Sequence, residues 1–123
     1  MFSRKSIKKS LKARGYKHCS RDDAFSQHGD YARHLQYVYS KEFVGPDIKI
    51  VDLIFLSADF YEERIVIGFV RENVAIEDGV VQNSTVGIPL AKYSMDEFEK
   101  QLDRIIPKGD PLRRAAVAAR QEF

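Results

Sequence analysis

Six side chains able to ligate a metal fall close together: His18, Cys19, Asp22, Asp23, His28 and His34. Imidazole, thiolate and carboxylate all serve zinc, and His18, Cys19, Asp22 and His28 are the first ligands to test. Their spacing follows no established ligand pattern, and a polar, turn-rich loop holds such residues for solvation alone. The expectation is therefore no bound metal and no cofactor. Asp47-Ile48-Lys49 repeats the acid-x-lysine half of a restriction-type nuclease core, in which two carboxylates hold a divalent ion beside a lysine; Asp30 would supply the other acid. Asp47 follows Gly45-Pro46, however, and is equally accounted for as a turn residue. Nucleophilic catalysis finds no Gly-x-Ser-x-Gly turn and no base–orienter pair for Cys19. The seven glycines are scattered rather than gathered into a phosphate-cradling loop. The chain is expected to be non-catalytic, with a metal-dependent nuclease as the enzymatic alternative.

Charge offers two candidate interfaces. The 123 residues carry 20 Lys+Arg and 18 Asp+Glu, a net of +2, but the two signs are segregated. Residues 1–21 hold eight basic side chains and no acid, whereas 22–107 hold eight basic and sixteen acidic ones. The basic arm presents Lys5, Lys8, Lys9, Lys12 and Arg14 for phosphate neutralisation, with Tyr16 and Tyr31 placed to stack on bases. In the acidic body, Tyr31, Tyr37, Tyr39 and Tyr61 stand near Glu42, Asp59, Glu62 and Glu63. Tyrosine pairs apolar area with a polar handle and is enriched at protein interfaces, although at least one of Tyr37 and Tyr39 is expected to face the core. The partner-binding set is Asp59, Tyr61, Glu62 and Glu63, followed by Glu42 and Tyr39.

These residues need elements to place them. Ser3 or Ser6 can cap a basic helix over 1–16 that ends at Gly15, with Ile7 and Leu11 on its apolar stripe. Lys17 to Asp30 reads as loop. Alternation through Leu35, Tyr37, Tyr39 and Phe43 opens a sheet spanning 33–90. Its second strand, Ile48 to Ser57, is apolar on both faces and so central. Asp52 is the one acid in that strand, and a buried carboxylate there needs a partner such as Arg64 or Arg33. A third strand covers Arg64 to Val70, with Gly68 as a bulge or close contact. Asp78-Gly79 turns the chain into an edge strand containing Pro89. Ser94-Met95-Asp96-Glu97 has the form of a capping box opening a helix over 94–107. Asp110-Pro111 opens an alanine-rich tail helix over 110–122.

The fold class expected is α+β: one domain with an antiparallel sheet of about four strands, an N-terminal helix and one or two C-terminal helices. One sheet face should carry the helices, and the other should be partly exposed. With 44% apolar residues, eight Phe and six Tyr, the chain has material for a core. No apolar run approaches the ~20 residues of a bilayer span. The N-terminus lacks a signal-peptide core, and the single cysteine suits a reducing compartment. A cytoplasmic protein that does not associate with membranes is expected.

A basic helix ending in Gly15-Tyr16-Lys17, a polar loop, and strands such as Val51-Asp52-Leu53-Ile54-Phe55 and Ile65-Val66-Ile67-Gly68-Phe69 resemble small bacterial immunity proteins. These neutralise cognate toxin domains in interbacterial competition. The resemblance spans about residues 2–70. It implies a cytosolic antitoxin without catalytic activity and with one tight protein partner, a toxin domain. Nucleic-acid binding through the basic helix, and service as a secretion chaperone or adaptor, are the alternative readings.

Overall fold

A computed structural model of the chain describes residues 3–19 and 36–112, with 82–86 as backbone. Helix α1 (Arg4–Ala13) starts at Ser3, whose hydroxyl accepts the Ser6 amide at 3.3 Å and satisfies one of the unpaired N–H groups of the first turn. It stops where Gly15 adopts a φ of +86°. The Gly15 and Tyr16 amides then donate to the Lys12 and Leu11 carbonyls, both at 3.0 Å, the two bonds of a Schellman C-cap. This geometry carries Ile7, Leu11 and Tyr16 into the core. Tyr16 is therefore 3% exposed and stacks on no base.

Five strands follow: β1 (Lys17–Cys19), β2 (Tyr37–Val44), β3 (Ile48–Asp59), β4 (Arg64–Ala75) and β5 (Val81–Ser94). They form one antiparallel sheet in chain order, one strand more than the pattern predicts. Lys17–Cys19, expected to open a loop, pairs with β2, Lys17 opposite Ser40 and Cys19 opposite Val38. Three residues are too few to display a period of two. β4 and β5 also run longer than expected, to Ala75 and Ser94.

Register sets the faces. Tyr39, Ile54 and Phe69 form one row across β2, β3 and β4, and Tyr37, Leu56 and Ile67 the next. This face carries α1 and α2 (Phe98–Ile105), so that Ile54, Leu56, Ile67 and Phe69 pack with Ile7, Leu11, Phe98 and Leu102. The opposite face, expected to be partly exposed, buries Val38, Val51, Leu53, Phe55 and Val74 and exposes Glu42 and Val44 toward its margin. β3 is thus covered on both sides, as its unbroken apolar run requires.

The expected capping box does not form. The Ser94 hydroxyl bonds the Asp96 carboxylate and makes no cap, and a 3-10 turn, Met95–Glu97, leads into α2. The Met95 amide is held by the Glu63 carbonyl at 3.0 Å, which ties the turn to the β3–β4 connection rather than to a regular first helical turn. Asp110 does act as a local cap, accepting the Leu112 amide at 2.9 Å. The rest of the expected tail helix lies outside the described residues.

Gly68 fulfils both sequence expectations. The β4–β5 register shifts between Ile67 and Phe69, and a Cβ on Gly68 would stand 2.8 Å from Leu90 Cδ2 and 3.2 Å from Leu90 Cγ. Gly68→Ala is expected to lower stability by about 1 kcal/mol through overpacking. Leu90→Ala in the same chain should restore most of that loss. Urea titration of the single and double variants checks it, and equal losses in both would refute the contact.

Candidate functional site

The most exposed aromatic among the described residues stands on the β3–β4 turn. Asp59 Oδ1 accepts the amides of Tyr61 and Glu62, both at 3.0 Å, and this Asx-type arrangement fixes the turn from within. Tyr61 is 98% exposed and Phe60 39%. Asp59, Glu62 and Glu63 are exposed around them. Glu63 takes a left-handed φ of +55°, a conformation unfavourable for residues with a Cβ. Its carbonyl anchors Met95, so the strained residue is the one that joins the tip to the body. Lys92 Nζ lies 3.8 Å from Glu62 Oε2, a solvent-exposed pair of small energetic weight. Glu63→Gly should raise stability by about 0.5–1 kcal/mol by relieving the backbone. A fall of that size on thermal unfolding would show that the Glu63 side chain, not its backbone, matters to the fold.

Asp59, Tyr61, Glu62 and Glu63 therefore come together, as the sequence groups them. Glu42 and Tyr39 do not join them. Glu42 pairs in register with Val51, eight residues from Asp59 along β3 and so roughly 27 Å away at ~3.4 Å per residue; its carboxylate meets Lys49 Nζ at 3.4 Å. Tyr39 is 5% exposed, and burial, followed by neighbouring Tyr37, pushes its phenol pKa up. Tyr37 is half-buried against the same core. Period two places both tyrosines correctly on one face, and that face is the covered one.

The cationic helix is divided by its neighbour. Lys5, Lys8, Lys9 and Lys12 are exposed. Arg14 instead folds onto α2: its Nε donates to Asp103 Oδ1 at 2.9 Å and its Nη1 to the Ser10 carbonyl at 2.9 Å, with Glu99 Oε1 at 3.9 Å. The hydrogen bond to Asp103 raises the guanidinium pKa and lowers that of the carboxyl. Ser10 Oγ donates to Glu99 Oε1 at 2.7 Å, so α1 and α2 are stitched together by polar contacts along one side.

The buried Asp52 does not pair with Arg64, one of its two expected partners. Arg64 is exposed, and Arg33 lies outside the described residues. Arg71, the cross-strand neighbour of Asp52, grips it with two parallel bonds, Nε to Oδ1 at 2.7 Å and Nη2 to Oδ2 at 2.8 Å. The bond to Asp52 raises the Arg71 pKa. The signal was available: Asp52 lies seven residues before Asp59 and Arg71 seven after Arg64, the pair that closes the hairpin. The geometry is that of a structural ion pair.

Of the residues considered for metal, His18 is exposed and meets the Tyr39 ring edge-on at 5.3 Å, and Cys19 is half-buried. Asp22, Asp23, Asp30, His28, His34 and Tyr31 lie outside the described residues. Among the described residues no three His, Cys, Asp or Glu side chains converge. Asp47 sits exposed in the turn before β3, and Lys49 of the acid-x-lysine pattern reaches Glu42. No helix among the described residues is long and apolar enough to cross a membrane.

No protein family, curated protein or solved structure matches this chain. The site must be read from its own geometry. Two depressions flank Phe60. One, of about 1010 Å³, runs between α1, the tip and the Met95–Glu97 turn. The other, of about 450 Å³, is bordered by Ser57, Asp59, Glu62, Arg64 and Lys92. Phe60 thus borders both hollows.

Proposed function

We propose that the chain is a non-catalytic protein-binding module of the immunity type, whose β3–β4 tip engages and neutralises a cognate toxin domain. The observation that carries this reading is the tip itself: a fully exposed tyrosine, a half-exposed phenylalanine and three carboxylates on a turn fixed by its own Asp59 hydrogen bonds. Exposed aromatic area on a rigid support is what interface hot spots use, because little conformational freedom is lost on binding. The surrounding acids favour a basic partner surface and speed its approach, as expected of a domain that acts on nucleic acid.

Co-expression with the product of the neighbouring gene tests it. A stable one-to-one complex is expected, and Tyr61→Ala should weaken it by about 30-fold or more, the ~2 kcal/mol of a hot-spot residue, with the unfolding midpoint unchanged. Failure to retain any partner, or a complex indifferent to both Tyr61→Ala and Glu62→Lys, would sink the proposal. The second reading rests on the four exposed lysines of α1, Lys5, Lys8, Lys9 and Lys12, without Arg14. It calls for nucleic-acid affinity that falls steeply with salt and vanishes when those lysines are reversed in charge.

A further inference from the structure

We propose that the larger depression beside the tip receives a lysine- or arginine-bearing segment of the protein partner. The basic head would lie between Glu63 and Asp96 and its alkyl stem against Phe60. This deepens the reading above and rests on it.

The lining explains the choice of occupant. Phe60, Met95, Phe98 and Ala13 give the groove an apolar floor and wall, with Met95 and Phe98 held in place by burial in the core. The polar rim carries three carboxylates, Glu63, Asp96 and Glu99, against one ammonium, Lys9. Glu99 is occupied by Ser10 and lies near Arg14. Among the described residues, no cation lies within ion-pair distance of Glu63 or Asp96; Asp96 receives only the Ser94 hydroxyl. The rim is thus anionic where its acids face no cation, and an anionic ligand would meet three like charges for one opposite charge.

A long basic side chain matches each part. Its methylene stem covers apolar surface while its charged head stays at the edge. Phe60, half-exposed at the mouth, adds apolar area for that stem. Carboxylates on either side accept from a guanidinium or ammonium. Phe60 of the groove lining is followed in the chain by Tyr61, so one continuous segment could cross the tip and drop its basic residue beside it. Glu63 belongs to both surfaces, since its carbonyl fixes Met95 and with it the groove wall.

A labelled nonapeptide of alternating arginine and leucine serves as the probe, with alternating glutamate–leucine and serine–leucine peptides as controls, all followed by fluorescence anisotropy. Only the arginine peptide is expected to bind. Glu63→Gln with Asp96→Asn should weaken it about tenfold, equivalent to ~1.4 kcal/mol, whereas Glu77→Gln with Asp78→Asn, on the β4–β5 turn, should leave it unchanged. Amide shifts in the unmodified protein should centre on Phe60, Glu63, Ser94 and Asp96, which keeps the test valid if a variant misfolds. No binding, equal binding of the serine peptide, equal loss in the two variants, or shifts centred elsewhere would overturn the groove assignment. If the neighbour-encoded partner is still lost on Tyr61→Ala, the function reading stands while the groove falls. If the peptide binds as expected but no partner is retained, the converse holds.

Discussion

Replacing Asp52 with alanine is expected to lower the unfolding free energy by about 3–5 kcal/mol, the usual cost of stripping one member from a buried ion pair. The pair sits in the covered face of the sheet, with Asp52 1% and Arg71 6% exposed. Alanine would leave the guanidinium in that setting with neither water nor carboxylate. Tyr16 lies within electrostatic range but offers no compensating anion. Burial, and then the charge of Asp52, push its ionisation up, and its hydroxyl makes no hydrogen bond among the described residues. The reverse experiment separates the value of the pair from the penalty of breaking it. Asp52→Leu combined with Arg71→Met removes both charges and keeps the volume apolar, so it should cost no more than about 1 kcal/mol. Urea denaturation of the three proteins measures the difference; a loss below about 1 kcal/mol in Asp52→Ala would refute the account.

Phe98→Ala is the second large effect, again about 3–5 kcal/mol. Phe98 opens α2 and is 1% exposed, packed with α1 and with the central rows of the sheet. Truncation leaves a void that three rigid elements cannot all close, so the cavity adds to the lost transfer energy. The melting temperature should fall on the order of 10 °C. Phe98→Leu, which keeps most of the volume, should cost no more than about half as much. Because Phe98 also floors the groove, calorimetry on both variants precedes any binding study. Equal, small losses in the two would mean that α2 relaxes onto the sheet and that the core is less tightly specified than its burial implies.

Much of this architecture was written in local patterns. Ile7 and Leu11 mark the buried stripe of α1, Gly15 marks its end, and the two-sided apolar run of β3 marks the centre of the sheet. Each is a short-range signal whose meaning does not depend on distant residues. What remained hidden was mostly relational. β1 is too short to show a period and exists because β2 offers it an edge. Arg71 became the partner of Asp52 through hairpin register, which sequence reading approached by charge type instead of by distance from the turn. The capping box at Ser94 failed because a backbone bond from Met95 to Glu63 took precedence over the local preference. For the site, Asp59, Tyr61, Glu62 and Glu63 were legible because they adjoin along the chain. Tyr39 and Glu42 stand apart from them for different reasons, one turned inward and the other on β2 opposite Val51, far from Asp59. The groove, assembled from α1, the tip and the turn before α2, has no linear signature.

Strand order that follows chain order leaves β5, among the described residues, as one long outer edge. An extended edge bearing Ile88 and Leu90, 37% and 53% exposed, is a template on which further copies could add strand by strand. The β4–β5 register shifts at three places, between Ile67 and Phe69, Arg71 and Glu72, and Asn73 and Val74, and Pro89 removes an amide between Ile88 and Leu90. No long stretch of the edge is therefore both flat and able to pair. Smoothing these irregularities would gain hydrogen bonds within one molecule and leave a flatter edge for other copies to pair with.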